Sequence, residues 1–94
     1  MEYQGTFTSA IRTSDFYGDF TMKKNGDVIN ADLEFKGAIA CGEKLSAYLK
    51  KEGDRYISND IIIEIKEETS TMISGIYGDP QKIDCGMFQA FIRL

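Results

Sequence analysis

Ninety-four residues, 43% hydrophobic and 28% charged, are enough for one folded domain and too few for two. The chain has no His and no Trp, which excludes a Ser-His-Asp triad, a Cys-His dyad and a His-ligated zinc site within it; two Cys cannot form a four-thiolate zinc site either. Fifteen acidic against eleven basic side chains give a formal charge of −4, and the Lys and Arg are scattered rather than striped, which argues against nucleic acid as the main partner.

Turn signals recur at short intervals, with β-branched or aromatic stretches between them, as in an antiparallel meander. Residues 3–12 alternate: Tyr3, Gly5, Phe7, Ser9 and Ile11 share one face, and Gln4, Thr6, Thr8, Ala10 and Arg12 the other. Thr13-Ser14-Asp15 turns the chain. Residues 16–24 then set Phe16, Gly18, Phe20 and Met22 against Tyr17, Asp19, Thr21 and Lys23. Asn25-Gly26 predicts a type I′ hairpin turn, whose two central residues need positive φ. In 28–35, Ile29, Ala31, Leu33 and Phe35 point one way and Val28, Asn30, Asp32 and Glu34 face solvent.

The stretch 43–52 admits two readings. Leu45, Tyr48 and Leu49 lie at helical spacing, with Lys50, Lys51 and Gly53 as a helix end. Leu45, Ala47 and Leu49 also alternate, and Glu52-Gly53-Asp54 suits a hairpin tip. Its shortness and its neighbours favour a strand; a helix here would make the domain α+β. Residues 55–57 extend the pattern, and Ser58-Asn59-Asp60 bulges or turns it. Ile61, Ile63 and Ile65 form the inward set of the most β-prone segment, 61–66. Residues 67–70 turn, 71–77 form a strand, and Gly78-Asp79-Pro80-Gln81 turns again. The last strand, 84–93, sets Gly86, Phe88, Ala90 and Ile92 against Cys85, Met87, Gln89, Phe91 and Arg93, with apolar residues on both faces. The expected fold is all-β: seven or eight short antiparallel strands closing into a small barrel, its interior filled by Phe7, Phe20, Leu33, Ile63 and Phe88.

Gly5-Thr6-Phe7 resembles the Gly-Thr-aromatic opening of an avidin-type first strand. Gly18-Asp19-Phe20 through Asn25-Gly26, with the alternating 28–35, resembles the next hairpin, and Ser74-Gly75-Ile76-Tyr77 a late Ser-Gly-x-Tyr element. Over about half its length the chain resembles the up-and-down barrels of the avidin and lipocalin (calycin) kind. The resemblance implies the barrel and no ligand. The families' Trp residues have no counterpart and the chain is shorter than their members, so no ligand residues carry over.

No Asp or Asn set has EF-hand spacing and no Gly-rich phosphate loop is present, so neither metal nor cofactor is expected. Asp15, Asp19, Asp79 and Asp84 flank turns, where Asp caps its own backbone. One tripeptide repeats, Tyr17-Gly18-Asp19 and Tyr77-Gly78-Asp79. In an eight-strand meander both copies fall at one barrel end, together with the turns near Ser14, Lys36 and Glu52. Tyr17, Asp19, Tyr77 and Asp79 are therefore a candidate site for a cationic or sugar-like ligand or an aromatic-anchored protein contact; as strand-end vocabulary the tripeptide needs no function. An inward Phe88, Ala90 and Ile92 leaves Met87 and Phe91 facing out, a candidate oligomer interface. Cys41 and Cys85 are either free thiols of a reducing compartment or a bridge between two strands, and their spacing is not a redox CxxC.

No apolar run approaches the ~20 residues of a membrane span. The first ten residues lack the basic and apolar regions of a signal peptide, so a cytoplasmic location is expected. The composition points to a non-enzymatic binding module, an intracellular inhibitor or adaptor acting through its surface on a protein partner or a second copy. A small-ligand barrel using one end is the alternative, and a His-free enzyme using carboxylates comes third.

Overall fold

The computed structural model describes residues 1–9, 17–37, 42–79 and 82–93, and of these not the side chains of 9 and 82–85. Alternation between tight turns produces eight strands: β1 (Glu2–Ser9), β2 (Tyr17–Asn25), β3 (Val28–Phe35), β4 (Lys44–Glu52), β5 (Arg55–Ile57), β6 (Ile62–Glu68), β7 (Met72–Asp79) and β8 (Lys82–Ile92). Each pairs antiparallel with its neighbour in sequence, and β8 pairs with β1 to close the barrel. The expected all-β barrel is present, with no helix among the described residues. In 43–52 the two-residue period prevails: Leu33↔Leu45, Ala31↔Ala47 and Ile29↔Leu49 register the inward faces of β3 and β4.

The hairpin tip after β2 lies one residue beyond the sequence expectation. Asn25 pairs with Val28, and the two-residue loop is Gly26-Asp27, with Gly26 at φ 61°. The shift leaves Asp27, a poor strand former, in the turn instead of pairing it in the ladder. Gly53-Asp54 repeats the arrangement between Glu52 and Arg55, with Gly53 at φ 65°. Both tips fall at one barrel end with the turn between β6 and β7. Glu52 is thus at the opposite end from Tyr17 and Lys36, correcting the expected grouping, because β4 crosses the whole wall in a single pass.

Inward side chains fill the interior. Phe20 stacks on Phe88 with ring centroids 4.8 Å apart, and Phe7 meets Phe35 edge-on at 5.2 Å. Met22, Ile29, Leu33, Leu49, Ile63 and Ile73 are fully buried around them. Of the expected inward set on β6, Ile61 and Ile63 are buried and Ile65 is half-buried; Ile62 is buried as well. The β6–β7 register shifts between Ile65 and Glu67, a bulge that breaks the alternation at Lys66.

Two wall glycines make room for this core. Gly18 lies opposite Phe7, and Gly86 opposite Tyr77. A Cβ on Gly18 would sit 2.0 Å from the Glu34 carbonyl oxygen and 2.9 Å from the Phe7 ring. On Gly86 it would sit 2.0 Å from the Thr8 carbonyl oxygen and 2.6 Å from the Tyr77 hydroxyl. At both places an aromatic ring covers a bare backbone and the next strand bends in close. Gly86→Ala is expected to destabilise the fold by about 2–3 kcal/mol, because the obstacle is backbone rather than a movable side chain. Gly26→Ala, at a tip with open space around it, costs only about 1 kcal/mol for its positive φ. Denaturant unfolding of both variants checks the order; equal losses would show that the wall tolerates a side chain at Gly86.

Candidate functional site

The structure places both Tyr-Gly-Asp copies at the same barrel end and then divides them by face. Tyr17 lies opposite Thr8 and is exposed on the outer wall. Asp19 is also exposed; its carboxylate is 3.9 Å from Lys36 Nζ, which lies 3.0 Å from Glu34 Oε1. Tyr77 faces inward and is only 5% exposed. Its ring meets Phe7 edge-on at 5.7 Å, and its hydroxyl donates to the Thr8 carbonyl oxygen at 3.1 Å. The cause is register: Tyr17 pairs with an outward residue of β1, whereas Tyr77 pairs with inward Gly86. Asp79 is exposed beyond a second register shift, between Tyr77 and Asp79. The two tyrosines thus lie on opposite faces of the wall. The recess at this end, bordered by Phe35, Leu45, Ile61 and Tyr77 with Asp60 and Asp79, has a volume of about 160 Å³.

Met87 and Phe91 do face outward, at 60% and 54% exposure. The ladder sets Ile76 beside Met87 and Met72 beside Phe91. Met72 and Ile76 are half-buried, and the outer faces of β7 and β8 carry a strip of two apolar pairs, Ile76–Met87 and Met72–Phe91, with the polar pair Ser74–Gln89 between them. Gln4, Thr6 and Thr8 of β1 border it on one side, and Glu64, Lys66 and Glu67 of β6 on the other. A groove of about 370 Å³ runs here, lined by Ile76, Met87 and Gln89 with Thr6, Thr8 and Lys66. Met72 and Ile76 escaped the sequence reading. The signal was present: 72, 74 and 76 are the partners in alternation of the inward Ile73, Gly75 and Tyr77. Joining them to Met87 and Phe91 required the β7–β8 register.

Charge sits at the margin of the strip. Lys66 forms an ion pair with Glu64 Oε2, and Arg55 Nε lies 3.4 Å from Glu64 Oε1. The hydrogen bond from Lys66, aided by Arg55, holds the Glu64 carboxyl below its ordinary pKa against the opposing effect of burial. Lys36 lowers Glu34 in the same way. Among the described residues no three acidic, Cys or His side chains converge as a metal site. Cys41 lies outside the described residues, as does the side chain of Cys85, so the expectation about their pairing falls outside the structure.

No family model matches the chain, and neither curated proteins nor solved structures give a match.

Two outcomes follow from this geometry. Tyr77→Phe removes the bond to Thr8 and should cost about 1 kcal/mol in denaturant unfolding, whereas Tyr17→Phe, on the open wall, should leave stability unchanged. Equal effects would contradict the assignment of the two faces. The pH dependence has a fixed sign. A folded-state pKa below the unfolded value stabilises above the unfolded value, and the contribution disappears as pH falls through the folded one. Glu64→Gln should therefore flatten the acid side of the melting-temperature profile and lower the plateau near neutral pH. An unchanged profile would mean that the Lys66 and Arg55 pairs contribute nothing.

Proposed function

We propose that the protein is a non-enzymatic binding module that recognises a protein partner through the outer faces of β7 and β8, as an inhibitor or adaptor does. The supporting observation is the strip in which exposed Met87 and Phe91 pair with half-buried Ile76 and Met72 on the outer wall. Met and Phe supply adaptable apolar contact, and aromatic residues and Met set among polar groups are enriched in recognition surfaces. The packed interior favours this reading over ligand carriage. The end recess of about 160 Å³ is roughly half the ~300 Å³ at which small-molecule pockets begin. The likeness to calycin barrels is one of architecture. The proposal includes an intracellular setting, in which Cys41 and Cys85 are thiols.

The experiment is recovery of the partner from the native source, followed by calorimetric titration of the purified pair. Met87→Lys/Phe91→Lys should keep the fold by circular dichroism and weaken binding by about 100-fold or more, because it puts a charge into each of the two apolar pairs of the contact. Tyr17→Ala should bind as the wild type does. Undiminished binding by the double variant would overturn the proposal.

A further inference from the structure

β5 is three residues long, and its pairing with β4 stops at Lys50↔Ile57. Residues 44–49 of β4 therefore have a ladder partner on one side only among the described residues. The phase of the hydrogen bonds shows which groups face the gap. The Phe35 N–H donates to the Glu43 carbonyl at 2.9 Å, and the Lys51 N–H to the Asp27 carbonyl at 2.8 Å. Successive residues of a strand turn their backbone groups to opposite sides, so the odd-numbered residues of β4 serve β3. The N–H and C=O groups of Lys44, Ser46 and Tyr48 point to the side that β5 leaves open. All three side chains are exposed, Tyr48 by 55%, and neither Pro nor a bulge interrupts the run.

The other edge that short β5 leaves behind is built differently. Beyond Ile63, β6 carries Glu64, Lys66, Glu67 and Glu68 and the bulge after Ile65. Glu68 is paired with Lys24 at 3.6 Å, and Glu64 with Arg55 and Lys66. Charges and bulges are what keep an edge from adding a strand. The β4 edge has one charge, Lys44, and no bulge.

We propose that this edge pairs with the same edge of a second copy, antiparallel about a two-fold axis at Ser46. The edge is self-complementary. With Ser46 opposite Ser46, Lys44 of each copy faces exposed Tyr48 of the other, a cation against an aromatic face made twice by symmetry. On the inner side Leu45 meets Ala47, large against small. Sliding the pairing to put Ser46 opposite Tyr48 sets Lys44 against Lys50, whose backbone is already engaged with Ile57. Opposed like charges disfavour that register. The proposed register forms about six backbone hydrogen bonds and closes at two copies. The Asp32 carboxylate beside the axis is occupied by the Ser46 hydroxyl at 2.5 Å.

The test is analytical ultracentrifugation of the full chain across a wide concentration range, with amide hydrogen exchange at its two extremes. The wild type should pass from monomer to dimer, and the amides of Lys44, Ser46 and Tyr48 should exchange at least tenfold more slowly at the concentrated end. Ser46→Asp sets like charges face to face at the axis, and Ser46→Pro removes an edge N–H that β3 does not use. Either variant that is folded by circular dichroism should stay monomeric throughout, while Met87→Lys/Phe91→Lys should still dimerise. A wild type that remains monomeric would overturn the inference. So would a dimer that survives in folded Ser46→Asp, or one lost only in the Met87→Lys/Phe91→Lys variant. The last result would assign self-association to the β7–β8 face and leave partner recognition to be judged by its own titration.

Discussion

The barrel depends on how β1 is joined to β8. Tyr77, on β7, reaches across β8 where Gly86 carries no side chain and donates to the Thr8 carbonyl of β1. One hydroxyl thus ties together three strands that span the closing seam. The arrangement requires Gly86 to be bare, Phe7 to stand edge-on to Tyr77, and Gly18 to be bare beneath Phe7. With the seam closed, Phe20 and Phe88 stack inside and the aliphatic residues fill the space around them. A chain this short can close eight strands only if the wall bends sharply, and glycine under an aromatic ring is the means of bending it.

A full interior moves function to the outside of the wall. The apolar strip lies on β7 and β8, and the open edge lies on β4, three strands from β7 and four from β8 around the ring. The two features therefore face opposite ways. A dimer joined through β4 would present two recognition strips outward and would engage a divalent target with avidity and no new contact. The composition fits such a division. The edge of β6 is guarded by ion pairs of Glu64 and Glu68, while the edge of β4 carries Lys44, Ser46 and Tyr48.

The sequence was most informative where periodicity is strict. The two faces of 28–35, the inward Phe20 and Phe88 and the outward Met87 and Phe91 all follow from a two-residue period that register then preserves. It was least informative where one residue of register decides the outcome. The tip after β2 is Gly26-Asp27 rather than Asn25-Gly26, because local turn preference competes with the cost of placing Asp27 in a strand. Identical Tyr-Gly-Asp tripeptides point Tyr17 out and Tyr77 in, because facing is set by the partner strand. Met72 and Ile76 become part of the strip only once β7 is paired with β8. The free edge of β4 depends on where β5 stops, which composition does not encode.

The central claim is that a packed barrel offers its apolar contact on the outer wall and not within. Amide chemical-shift mapping of the full chain during titration with a small apolar dye, such as anilinonaphthalene sulfonate, tests it most directly. Perturbations are expected to gather at Met72, Ser74, Ile76, Met87, Gln89 and Phe91 and to leave Phe20, Ile63 and Ile73 unmoved. Perturbations centred on Phe20, Ile63 and Ile73, with Met87 and Phe91 unmoved, would reveal an interior cavity and contradict it.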